Sequence, residues 1–116
     1  MKKDLKDRTK KFALTVIDMV ENIPNKPAGN VIKRQLLKSS TSIGANYRSA
    51  LRGRSKAEFI SKIGIVEEEA DETVFWLELL NDSGLVHQSL INPLLDEANQ
   101  LTAIFTSMGK TAKTTK

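Results

Sequence analysis

The sequence predicts an all-α fold, an elongated antiparallel up-down-up-down four-helix bundle, and three observations carry that prediction. Apolar residues recur at three- and four-residue intervals in four separate segments. No segment alternates with the period of two that a half-buried strand requires. The links between segments are short and rich in Gly, Pro, Asn and Ser. Composition agrees: aromatic residues make up 5% of the chain, Pro numbers three, and Leu and Lys are the commonest residues. A chain of 116 residues reads as one domain, large enough for a single hydrophobic core.

Taken in order, the first helix is expected over about residues 4–22. Leu5, Phe12, Val16, Met19 and Ile23 share a stripe that Ala13, Ile17 and Val20 widen. Lys3, Lys6, Lys10 and Lys11 lie mostly off it and read as a solvated face. Two prolines and a glycine between Ile23 and Asn30 break the pattern, and Pro27 suits a first helical turn. The second helix is therefore set at about 28–52, stopped by Gly53. Ser55-Lys56-Ala57-Glu58 is a capping box, in which the serine hydroxyl accepts from the glutamate amide, and it opens a third helix at about 55–82. So short a link makes helices two and three antiparallel neighbours. Phe59, Ile63, Val66, Ala70, Thr73, Leu77 and Leu80 form a heptad-like seam that ends before Gly84, a left-handed stop. The fourth helix, about 89–110, carries Ile91, Leu94, Ala98, Leu101, Phe105 and Met108. Pro93 is assigned to its first turn, and the polar tail from Gly109 is expected to fray.

Helix two is the most informative segment. Ile32, Ser39, Ile43, Asn46 and Ala50 fall on one narrow stripe bordered by Gln35 and Ser42, with Tyr47 toward the core. That face is small and partly polar, so a neighbouring helix must approach closely. Glu72 borders the helix-three seam and is the expected acceptor for Ser39, Ser42 or Asn46, because buried polar groups are paired. Arg34, Lys38, Arg48 and Arg52 occupy the opposite face, with Arg54 and Lys56 just beyond.

Charge is distributed unevenly. Residues 1–62 carry 15 Lys/Arg and 5 Asp/Glu, whereas residues 63–109 carry 9 Asp/Glu and no Lys/Arg. Such segments attract each other within or between subunits, so the formal charge of +4 is a weaker sign of nucleic-acid binding than it first looks. Cysteine is absent, which excludes a disulfide framework, a thiolate nucleophile and a cysteine metal site. Asp4, Asp7 and Asp18 interrupt the N-terminal stretch and no cleavage site follows, so a signal peptide is not expected. No segment reaches the roughly 20 apolar residues of a membrane span. The expectation is a soluble, cytoplasmic protein with no membrane contact.

Little in the chain points to catalysis. The acidic run Glu67-Glu68-Glu69-Ala70-Asp71-Glu72, with Glu78, evokes a di-metal carboxylate bundle, but such a site needs Glu-x-x-His pairs and the single histidine, His87, has no such spacing. No metal and no cofactor are expected. Ser39, Ser40 and Ser42 have no base within reach and no Gly-x-Ser-x-Gly elbow, and the glycines form no phosphate loop. The chain is not read as an enzyme.

Two readings remain for the cations of helix two. Arg34, Lys38, Arg48, Arg52, Arg54 and Lys56 could follow a phosphate backbone. Alternatively the stripe pairs with Glu67, Glu68, Asp71 and Glu78 of a neighbouring subunit. Leu37, Leu51, Trp76 and Leu79 lie off the core stripes and are candidates for a subunit interface.

The segments SSTSIGANYRSA, KAEFISKIGIVEEEADETVFWLELL and LLDEANQLTAIF, with the later KTAK, resemble the ribosomal-RNA intervening-sequence, or S23, protein family of four-helix bundles. The resemblance runs from about Phe12 to Lys113. Within it, Ser42, Ile43 and Asn46 match the helix-two signature, and Ala70 and Glu72 match a small-x-acid signature in helix three. The resemblance implies an antiparallel bundle, a ring-like homopentamer and no established activity. A related branch, the accessory proteins of diversity-generating retroelements, implies a basic surface that binds RNA or DNA and a reverse-transcriptase partner. Many members have Asn-Ile-Ala-Glu-Gly where this chain has Asn46-Tyr47-Arg48-Ser49-Ala50, so it falls in a different subgroup.

Overall fold

The computed structural model describes residues 2–115, with side chains from Leu5 onward, as four consecutive helices. They are α1 (Lys2–Val20), α2 (Pro27–Leu51), α3 (Lys56–Ser83) and α4 (Gln88–Thr114). Each packs antiparallel against its chain neighbour and α1 also meets α4, which closes a square bundle measuring 49 × 21 × 19 Å.

The core is the sum of the four stripes. Leu5, Phe12, Val16, Met19 and Ile23 are buried from the α1 side, and Ile63, Val66, Ala70, Thr73, Leu77 and Leu80 from α3. Ile91, Leu94, Ala98, Leu101 and Phe105 complete it from α4. Ile17, expected to widen the α1 stripe, is 41% exposed and faces outward. The α2 stripe is larger than the spacing implied: Leu36, Ser40 and Tyr47 are fully buried, whereas Ser42 and Asn46 stand half-buried at its edge. Tyr47 meets Phe105 across the core with ring centroids 5.3 Å apart.

The ends follow local chemistry. Ser55 Oγ accepts from the Glu58 amide at 3.1 Å, as a capping box requires, but the Glu58 carboxylate reaches back to the Arg54 amide rather than to that of Ser55. Gly84 takes the left-handed conformation, φ 71°, and ends α3. Helix α4 begins at Gln88, one residue before the expected 89. The His87 ring Nδ1 accepts from the Ser89 amide and caps the helix, which leaves Pro93 inside the helix rather than in its first turn. At the other end α4 does not fray after Gly109 but continues to Thr114, because Gly109 is buried against Ile63 and Glu67 of α3.

Two close approaches position the helices. A Cβ on Gly29 would lie 2.5 Å from the Pro24 carbonyl oxygen, so the loop folds onto the start of α2 only where there is no side chain. A Cβ on Gly44 would lie 3.1 Å from Thr9 Oγ1, so α1 and α2 approach closely there. Between α2 and α3 the polar contact is Thr73 with Ser39, Oγ1 to Oγ 2.9 Å, while Thr73 also donates to the Glu69 carbonyl at 2.7 Å. The expected acceptor role of Glu72 is not what the structure contains. Ser42 donates to the Lys38 carbonyl and Asn46 to the Ser42 carbonyl, both within α2. Glu72 faces out and accepts from Trp76 Nε1 at 3.3 Å. The Thr73 hydroxyl, one residue further along, meets the serine without the desolvation cost of burying a carboxylate.

Candidate nucleic-acid interface

Antiparallel packing gathers the N-termini of α1 and α3 and the C-termini of α2 and α4 at one end of the bundle. That end holds Lys6, Lys10, Arg48, Arg52, Arg54, Lys56, Lys110 and Lys113 with the acids Asp7 and Glu58, whereas Asp18, Glu21, Glu78 and Asp82 lie toward the other with Lys26, Lys33 and Arg34. The asymmetry along the sequence thus becomes an asymmetry along the molecule.

Two open depressions adjoin there. A groove of about 310 Å³ between α1 and α2 has a floor of Ala13, Gly44 and Ala45, with Thr9 and Thr41 beside it and Lys6, Lys10 and Arg48 at its rim. A second hollow, about 500 Å³, lies over the α2–α3 turn and is lined by Ser49, Arg52, Arg54 and Glu58. The two share Ala45 and Arg48, so five cations border one continuous track against one carboxylate, Glu58. Lys6 and Lys10, which the sequence pattern left as solvated lysines, belong to it through the Thr9–Gly44 approach. The adjacent small pair Gly44-Ala45, one turn before Arg48, is the signal that could have found them. Lys3 lies outside the described side chains.

The six cations picked out from the sequence therefore divide. Arg48, Arg52 and Arg54 join the track, and Lys56 is exposed at the start of α3 beside it. Arg34 and Lys38 are exposed in the other half of α2. Lys38 is close enough to Glu69 to favour its ionised form, although burial and then the neighbouring Glu72 push the Glu69 carboxyl above its ordinary range. Among the described residues no ion pair involves any of the six. Among the described residues the one ion pair is Arg8 with Glu97, bidentate at 2.6 and 2.7 Å, and it ties α1 to α4 with Gln100 as a further acceptor at 2.9 Å.

The apolar candidates divide too. Leu37, Leu51 and Trp76 are half-buried and pack against the core of their own chain, while Leu79 is 40% exposed. Phe75 is 53% exposed and stacks edge-on against Trp76, centroids 5.0 Å apart. No cluster of three or more His, Asp or Glu able to hold a metal occurs among the described residues, and none of the described helices is long and apolar enough to cross a membrane.

A family model described as 23S rRNA-intervening sequence protein matches residues 2–107 of the chain. The fold is similar to the crystal structure of a protein with unknown function from the S23 ribosomal protein family of Bacteroides thetaiotaomicron VPI-5482. The two share 32% identity over 90% of this chain and 97% of that one, with a TM-score of 0.82. No curated protein matches the chain.

Proposed function

Because the chain belongs to the 23S rRNA-intervening sequence protein family, we propose that it is a non-enzymatic, homo-oligomeric bundle that binds single-stranded RNA or DNA along its basic track. The observation that carries the reading is the continuity of the two depressions: Lys6, Lys10, Arg48, Arg52 and Arg54 border one open path, with Glu58 the one acid among the described residues that line it. Cations with no ion-pair partner among the described residues are available to replace the cations condensed on a nucleic-acid backbone, and the release of those counterions drives association with phosphates. The small floor of Ala13, Gly44 and Ala45 gives a ribose or base room to lie flat while its phosphates reach the rim. Aromatic stacking is not part of the track, so binding is expected to be backbone-driven and tolerant of sequence. The protein works in the cytoplasm, where single-stranded RNA or DNA is its ligand or a nucleic-acid enzyme such as a reverse transcriptase is its partner; the pentamer implied by the resemblance is the expected assembly.

Gel retention of a short single-stranded RNA at low and raised salt tests this. Retention that weakens steeply with salt supports it, and no retention even at low salt overturns it.

A second reading, an interaction module whose basic and acidic helices pair between subunits, draws on a different observation. The outer face of α3 is both acidic and apolar, with Glu68, Glu72 and Glu78 around the exposed Phe75 and Leu79. The two readings are compatible when different cations serve each.

A further inference from the structure

The start of α4 rests on one aromatic ring. His87 is exposed, and its Nδ1 accepts a hydrogen bond from the Ser89 amide at 3.1 Å, while the Ser89 Oγ lies 2.8 Å from the same nitrogen. A backbone amide only donates, so in this geometry Nδ1 carries a lone pair and the proton of the neutral ring sits on Nε2. The first amides of a helix have no partner within it, and the ring supplies one for Ser89.

Ser89 lacks support on its other side. Pro93 lies inside α4 and has no N–H, so the Ser89 carbonyl receives no bond from the residue four places on. Ser89 is therefore tied into the helix through its amide, and that tie passes through His87. Beside the ring, a hollow of about 640 Å³ opens where α3 turns into α4, with Asp82 and the half-buried Leu85 and Val86 in its lining. The next firm anchor is Ile91, which is fully buried.

We propose that His87 is a proton-operated cap: neutral, it holds the first turn of α4 closed, and protonated, it releases the Ser89 amide so that the turn opens as far as Ile91. The two states exclude each other. A proton entering at Nδ1 takes the lone pair that the amide uses, and Nδ1 turns from acceptor to donor. The Ser89 hydroxyl, already 2.8 Å away, then accepts from it, so the ring keeps a contact while the backbone loses one. The imidazolium charge also faces the positive end of the helix dipole, which further disfavours the first turn.

The surrounding charges do not fix the ring in either state. Asp82 of α3 lines the same hollow. Asp18 and Glu21 of α1, Glu78 of α3, Lys26 of the α1–α2 link and Lys33 of α2 lie at this end of the bundle. Among the described residues none of them forms an ion pair with the ring. The carboxylates favour a charged imidazole and the two lysines oppose it. This end lies opposite the basic track, so the inference does not rest on nucleic-acid binding.

The test is a pH titration of the full chain by NMR. The ring nitrogen shifts report the tautomer and the protonation of His87. Hydrogen-exchange protection of the Ser89 amide, corrected for the intrinsic effect of pH on exchange, reports the cap. The expected result is an Nε2–H tautomer at neutral pH and a loss of Ser89 protection of about fivefold, the scale of losing a helix cap. That loss should share its midpoint with the ring, while the Leu101 amide in the middle of α4 keeps its protection. His87→Asp offers an oxygen that still accepts where imidazole titrates, so it should hold Ser89 protection through that range. His87→Ala should show the low value at every pH. An Nδ1–H tautomer, Ser89 protection that does not follow the ring, or a His87→Asp variant that loses protection at the same midpoint would each overturn the inference. The tautomer and the two curves are read on the unaltered protein, so a misfolded variant leaves the test intact.

Discussion

Tyr47 is the side chain whose chemistry fits its surroundings least. It is fully buried and its hydroxyl has no hydrogen-bond partner, a condition it shares with the Ser40 hydroxyl. Burial also pushes the Tyr47 hydroxyl above its ordinary titration range. An unpaired buried hydroxyl costs about 1–3 kcal/mol, whereas the ring itself packs on Phe105. Tyr47→Phe is therefore expected to raise stability by about 1 kcal/mol, read from the urea midpoint; a lower midpoint would show that the hydroxyl is satisfied. Glu69 makes the complementary case for charge. Its folded carboxyl holds a proton to higher pH than an unfolded glutamate does, chiefly through burial and then through Glu72. In the window just above the ordinary carboxylate range the native state therefore binds more protons than the unfolded state, and this group's contribution makes stability fall as pH rises. Glu69→Gln removes that fall: melting temperatures of the variant should decline less than those of the unaltered protein from mildly acidic to neutral pH, and equal declines would contradict the assignment.

At the scale of elements, the glycines of α2 and the α1–α4 ion pair decide how the helices sit. Gly29→Ala brings a methyl group to 2.5 Å from the Pro24 carbonyl oxygen, a backbone atom that cannot turn aside. The usual helical gain of about 1 kcal/mol from Gly to Ala should be reversed into a loss of about 2 kcal/mol. Gly44→Leu is expected to push α1 away from α2 at Thr9 and to cost a similar amount; denaturation midpoints test both. Arg8→Ala removes the tie to Glu97 and Gln100, but the partly exposed pair is screened by solvent, so the expected loss is only about 1 kcal/mol. The stripes, the caps and the α3 seam were legible because each depends on local spacing. The polar contact between α2 and α3 was legible only as a need: Ser39 wanted a partner, but whether Thr73 or Glu72 supplied it depended on the rotation of α3 by a single residue. The start of α4 was legible to within a residue, but its cap is a histidine ring, an uncommon choice that the preference for Ser, Thr, Asp and Asn obscures.

At the scale of the whole molecule, the order of helices converts a sequence of basic then acidic segments into a bundle with a basic end and an acidic outer face. Six cations on and beside helix two looked like one stripe in the sequence. In three dimensions Arg48, Arg52 and Arg54 join Lys6 and Lys10 of α1, while Arg34 and Lys38 lie in the other half of the helix. That division was not legible, because it depends on which residues of α1 lie across from α2, and only the Thr9–Gly44 approach sets that register. The interface candidates show the same limit. Leu37, Leu51 and Trp76 also cover their own core, whereas Leu79 stands exposed near Phe75, and spacing alone does not separate the two cases. The central claim is that the basic track binds nucleic acid. The most direct test is fluorescence anisotropy of a single-stranded RNA titrated with the protein across a range of salt concentrations. With five cations engaged, the slope of log affinity against log salt is expected near −3.5, and Arg48→Gln/Arg52→Gln should reduce it by about 1.4. A slope near zero, or one that the double variant leaves unchanged, would contradict the account.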